Sequence, residues 1–305
     1  MTKLVWWGQA ALFYLFTWCA ALLPAAWSDY LGRGFGLLMR RLLPSRRKIA
    51  VENIRLALPY MTASPLWAHH TADPEDIVRQ VFINIGRSLM ETCRLYHGRA
   101  DALIDSIEIR GMEHYQDALS RGKGVVFLTG HCGNWELVAL AFSRRFRAPM
   151  SVVARRQNNP YLNAMVEKMR LQYDNLVIYK DNAMRSMMAV IRKNGAIGLL
   201  VDQAVFAGEG ARIPFLGRMA LASKGPVILA RKTGAAILPS FIHREGKRHV
   251  LTFHPVCDFD GDSSEAGMAG NVKQYSEYIE QYIVAHPTDW YWIHRRWKRA
   301  GEPAP

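Results

Sequence analysis

Apolar residues crowd the opening of the chain and later break into short blocks separated by polar, helix-forming stretches. Leu4 to Trp27 carries no charged residue and includes Trp6, Trp7, Phe13, Trp18 and the Ala20–Leu23 run. As a helix it would extend roughly 36 Å, enough for the ~30 Å hydrocarbon layer of a bilayer. Trp6, Trp7 and Trp27 fall near its ends, where amphipathic rings favour the headgroup level. The expectation is an uncleaved transmembrane anchor within residues 1–29. A signal peptide competes, because Pro24-Ala25-Ala26 mimics a cleavage site. Against it, only Lys3 supplies a basic start and the run exceeds a usual signal core. A buried core helix is the third reading.

Residues 30–105 read as juxtamembrane and covering helices. Tyr30–Met39, with three glycines, suits a short interfacial helix or a turn. Arg46–Leu58 and Ile77–Tyr96 are better helices. In the second, Ile77, Val81, Ile85, Leu89 and Cys93 step by four along one face, after an acidic Asp73-Pro74-Glu75-Asp76 start. From 106 to 298 the pattern alternates. Ile107–Ile109, Val125–Leu128, Met150–Val153, Val177-Ile178, Ala196–Val201, Ala236–Ile242 and Val250–Phe253 are predicted strands. Tyr115–Ser120, Trp135–Phe142, Tyr161–Tyr173, Ala183–Lys193, Pro226–Thr233 and Asn271–Ala285 are predicted helices. Such alternation predicts an α/β core. Gly261–Gly270 reads as a small-residue loop and 299–305 as a flexible tail.

Charge changes this picture. The 305 residues carry a formal net charge of +13, which calls for an anionic partner: nucleic acid, an acidic membrane, a phosphorylated substrate or an acidic carrier protein. Lys3 alone precedes the apolar run, whereas Arg33, Arg40, Arg41, Arg46, Arg47, Lys48 and Arg55 follow it. That asymmetry predicts a single-pass protein whose body stays on the cytoplasmic side, beside anionic headgroups. No nucleic-acid recognition motif accompanies the arginines, so no nucleic-acid partner is expected. The four cysteines match neither a zinc site nor a disulfide framework. No dinucleotide or triphosphate-binding loop occurs.

The chemistry concentrates in VVFLTGHCGNWE, Val125 to Glu136. A short apolar strand ends, glycines turn the chain, and His131 and Glu136 follow at the strand's carboxyl end, where α/β sheets bind ligands. His131 suits a general base near neutral pH, with Glu136 as its orienting acid. A satisfied loop histidine is the bland alternative. Cys132 as a nucleophile is disfavoured, because adjacent side chains usually diverge. His131, Glu136, Asp202 and His243 could hold a metal on paper, but no ligand spacing connects them, and no metal is expected.

His131-Cys132-Gly133-Asn134-Trp135-Glu136 resembles the His-four-residues-acid motif of the bacterial lipid A biosynthesis acyltransferases, the lauroyl and myristoyl transferases. Arg155-Arg156-Gln157-Asn158-Asn159-Pro160, Val201-Asp202-Gln203, Ile213–Gly217, Leu238–Phe241 and Trp292–Lys298 are similar to further segments of that family. The resemblance covers almost the whole chain. It implies a glycerol-phosphate-acyltransferase-like fold, with a mixed or mostly parallel sheet flanked by helices. It also implies acyl transfer from an acyl carrier protein to a hydroxyl of a phosphorylated glycolipid at the bacterial inner membrane. His131 would be the base and Glu136 its partner, with no cofactor and no covalent intermediate. Asn134, Arg155, Arg156, Asp202, Gln203 and Arg218 become candidates for substrate binding. Arg144, Arg145, Arg147, Arg295, Arg296, Lys298 and Arg299 could dock the acidic carrier, or simply be solvated. Another glycolipid, phosphoglycolipid or aminolipid acceptor is the nearest alternative, and an inactive membrane-tethered scaffold a more distant one.

Overall fold

The computed structural model describes residues 2–180 and 183–300, so most of the expected tail lies outside them. Four helices come first: α1 (Thr2–Leu22), α2 (Ala25–Leu42), α3 (Pro44–Thr62) and α4 (Pro74–Tyr96). Then follow α5 (Asp101–Asp105), β1 (Glu108–Arg110), α6 (Met112–Ser120), β2 (Val125–Thr129), α7 (Glu136–Phe146), β3 (Met150–Ala154), α8 (Pro160–Arg170) and β4 (Leu176–Tyr179). The remainder is α9 (Ala183–Arg192), β5 (Ala196–Leu200), β6 (Gly210–Phe215), β7 (Arg218–Ser223), α10 (Gly225–Thr233), β8 (Ala236–Glu245), β9 (Arg248–Phe253) and α11 (Glu265–Ala285).

Seven strands form one mixed sheet in the order β1-β9-β8-β2-β5-β3-β4. Only the β8–β9 pair is antiparallel. Every residue of β2 is buried, which explains its unbroken apolar run. Val125 and Phe127 join the core beneath α6 and α7, while Val126 and Leu128 join the opposite core beneath α10 and α11. β2 and β5 are parallel neighbours, with Thr129 opposite Leu200. The chain leaving β2 continues to β3 on one side, and the chain leaving β5 reaches β8 on the other. The carboxyl ends of these two strands therefore flank a topological switch point, where open α/β sheets leave a crevice.

Among the helices, three depart from expectation. The opening helix ends at Leu22 and the chain turns at Pro24 into α2, so Trp27 belongs to the second helix. Lys3–Leu22 is still long and apolar enough, by length and composition, to cross a membrane. One side of it is occupied, however: Ala10, Thr17, Ala20 and Ala21 are buried, Thr17 Oγ1 lies 2.9 Å from His97 Nε2, and Asn159 donates to the Trp6 carbonyl at 2.9 Å. The glycines of 30–39 mark a close helix crossing instead of a turn. A Cβ on Gly36 would stand 2.1 Å from the Phe82 carbonyl oxygen, and one on Gly86 2.2 Å from that of Gly32. Finally, Ser264 caps α11 by accepting from the Gly267 N–H, so the helix starts at Glu265, inside the expected Gly261–Gly270 loop.

Candidate active site

His131 and Asp202 each lie two residues beyond paired strand ends, and the parallel register brings them together. His131 Nδ1 is 2.8 Å from Asp202 Oδ1. Asp202 Oδ2 accepts from the His131 backbone N–H at 2.9 Å and from the Trp290 indole at 2.8 Å. Asp202 is buried at 2% exposure, where desolvation alone would raise its pKa; the imidazole and these three hydrogen bonds outweigh burial and hold it well below the carboxylate range. For His131 burial pulls downward, but the charge and hydrogen bond of Asp202 win, so its pKa is raised. An ionised acceptor at Nδ1 keeps the proton there and leaves Nε2 as the basic nitrogen of the neutral ring. Gln203 places its amide nitrogen 3.2 Å from that Nε2.

The carboxylate hydrogen-bonded to His131 is thus Asp202, not Glu136. Glu136 opens α7 and forms a two-pronged pair with Arg170 of α8, at 2.5 and 3.1 Å. Its charge still favours the protonated imidazole, as a smaller effect than that of Asp202. Cys132 is fully buried, bridges Trp290, and has its thiol pKa pushed well above the usual value, first by burial and then by Asp202 and Asp289. Such a thiol carries negligible thiolate, which removes it as a nucleophile.

Beside His131 opens a cavity of about 300 Å³. Met39, Val81, Ile85, Leu89 and Trp135 give it apolar walls, so α2 and α4 form one side and the His131–Glu136 loop another. Asn134 lines it too, and its amide donates to Glu91 at 3.0 Å. Glu91 also accepts from Arg244 at 2.6 Å and is 3.0 Å from His249 Nε2; these partners overcome its burial and bring its pKa down to about 2.

The other candidates are dispersed. Arg155 and Arg156 are exposed just past β3, at the same sheet edge but outside the cavity wall, and Arg156 stacks 3.7 Å over Tyr179. Arg218 follows the tight β6–β7 turn, where Leu216 and Gly217 both adopt left-handed backbone. It does not line the cavity. Arg144 is engaged by Asp101 and Asp105, and Arg145 by backbone carbonyls. Arg296 is 1% exposed, stacked on Phe215 and bonded to the Leu221 carbonyl, so it is no docking residue. Sequence reasoning passed over Trp290, Glu91 and Arg170, none of which carries a local signal of its role.

Comparison with known proteins places the chain in a family. The family described as bacterial lipid A biosynthesis acyltransferase matches residues 1–299. A lipid A biosynthesis lauroyltransferase of Escherichia coli is 25% identical, over 99% of this chain and 94% of its own. A lipid A biosynthesis palmitoleoyltransferase of the same organism is 23% identical, over 97% and 91%. A phosphatidylinositol mannoside acyltransferase of Mycolicibacterium smegmatis is 25% identical, over 73% of each chain.

Proposed function

Because this chain belongs to the bacterial lipid A biosynthesis acyltransferase family, we propose that it moves a fatty acyl chain from an acyl carrier protein thioester to a hydroxyl of a lipid A precursor. The observation that carries this reading is His131 held through Nδ1 by a buried, ionised Asp202 beside an apolar cavity. His131 Nε2 takes the proton as the acceptor oxygen attacks the thioester carbonyl. The tetrahedral intermediate collapses, the carbon–sulfur bond breaks, and the imidazolium returns its proton to the departing sulfur. Asp202 fixes the tautomer and stabilises the imidazolium. The Gln203 amide, adjacent to Nε2, donates to the acceptor oxygen or to the developing oxyanion. Neither a metal nor a covalent intermediate is needed.

Residues 106–298 form the catalytic core in this reading, and the preceding helices supply the acyl-chain wall and the membrane contact. Asn134 holds the shape of the His131 loop, and Glu136 with Arg170 adds negative charge near the imidazole. Arg155, Arg156 and Arg218 are the cations for acceptor phosphate, and Arg299 is one for the acidic carrier. The long apolar α1 and the basic residues after it support a place at the cytoplasmic face of the inner membrane, against anionic lipid. The mycobacterial relative favours a second reading, another glycolipid as acceptor. Purified protein given a labelled acyl carrier protein thioester with either acceptor decides between them. Label on the lipid A precursor, lost in His131→Ala, is expected; label only on another glycolipid moves the assignment there.

A further inference from the structure

The cavity beside His131 is lined by polar groups that the proposed transfer does not use, a carboxyl–amide pair among them. Asp289 and Asn84 both line it, and Asp289 Oδ1 accepts from Asn84 Nδ2 at a long 3.4 Å. Asn84 also donates to the Thr288 carbonyl at 3.1 Å. Burial raises the Asp289 pKa to about 7, although Arg244 and Arg87 act in the opposite direction.

A short backbone ladder fixes where this carboxyl stands. The Tyr291 N–H donates to the His131 carbonyl at 3.0 Å and the Gly133 N–H to the Asp289 carbonyl at 2.7 Å, with Cys132 and Trp290 bridged between them. In such pairing alternate residues face opposite ways. Cys132 and Trp290 are buried, Trp290 while also lining the cavity, and His131 and Asp289 both line it. His131 and Asp289 stand diagonally across this ladder, roughly 7–8 Å apart.

We propose that this cavity takes a hydroxylated acyl chain, whose hydroxyl is bound by Asp289 and Asn84. The inference rests on the acyltransferase reading above and names the donor. The acceptor's nucleophilic hydroxyl lies at His131 Nε2, and the apolar walls around Asp289 suit an acyl chain, so the hydroxyl at Asp289 is assigned to the chain being transferred. Its distance from His131 places it on one of the first carbons beyond the thioester carbonyl. A carboxyl that is partly protonated near neutral pH both donates and accepts, as does the Asn84 amide, so the pair satisfies a hydroxyl in both senses. A plain chain in the same place leaves two desolvated polar groups facing methylenes.

The test uses the purified full-length protein in detergent, with dodecanoate and its 2- and 3-hydroxy derivatives displacing a fluorescent fatty acid. One of the hydroxy acids should bind about tenfold more tightly than dodecanoate, the scale of one hydrogen bond in a desolvated site. Asp289→Leu should abolish that preference and Asp289→Asn should keep most of it. The corresponding acyl carrier protein thioesters should show the same ratio in kcat/KM. Dodecanoate binding as tightly as both hydroxy acids, with efficient transfer of plain chains, overturns this proposal alone. A folded protein that binds no acid and transfers no chain overturns the acyltransferase reading with it.

Discussion

The His131–Asp202 contact decides what this site can do, and it makes a signed prediction. In the proposed mechanism the base works when its imidazole is neutral, and Asp202 raises the imidazole pKa. The acid limb of the pH–rate profile should therefore lie above the ordinary histidine value of about 6.5. Asp202→Asn should move that limb to lower pH and reduce kcat about 10²- to 10⁴-fold, because the amide favours the wrong tautomer. A limb that stays in place in the variant contradicts the role given to Asp202. Cys132→Ala should leave transfer within a few-fold of the parent, since its thiol is buried and kept neutral. The sequence showed that His131 follows a buried strand, and that Asp202 does too. It did not show that they meet. Their contact spans 71 residues and depends on β5 lying beside β2, which no local spacing encodes. Glu136 drew attention as the nearest acid in the chain, but α7 turns it toward Arg170.

The elements that read clearly were those with a strong period or an unbroken apolar run. The central strands and α4 fall close to where their patterns put them. The β6–β7 hairpin was missed because its turn, Leu216-Gly217, lacks the usual Asn-Gly signal. α2 was obscured because its glycines looked like breakers, when they let α2 and α4 approach closely. Gly36→Leu should therefore cost about 1–3 kcal/mol through overpacking, read as a lower midpoint in denaturant melts of the purified protein. An unchanged midpoint would show that the crossing is looser than described. Glu91 ties α4 to the Asn134 loop and to Arg244 and His249. Glu91→Ala leaves those partners buried without their carboxylate and should cost about 3–5 kcal/mol. Glu91→Gln, which keeps the size and one acceptor, should cost less in the same melt.

At the scale of the whole molecule, the charge of +13 and the apolar surface point the same way. Leu4, Trp7, Leu12 and Leu15 on α1 and Trp27, Tyr30 and Leu38 on α2 are exposed, and the basic residues from Arg33 to Arg55 follow closely. Binding of the purified protein to anionic vesicles should exceed binding to neutral ones and should weaken, without vanishing, as salt is raised. Charge attraction is screened by ions whereas apolar insertion is not. Binding indifferent to lipid charge would remove the electrostatic part of this picture. In the proposed function, the cavity between α2, α4 and the His131 loop is where lipid and thioester come together. Mass spectrometry of lipid A from cells lacking this chain, and from the same cells carrying the parent or His131→Ala, tests the proposed activity most directly. Lipid A one acyl chain short in the deletion, restored by the parent and not by His131→Ala, is the predicted result. Lipid A of unchanged mass in the deletion contradicts it.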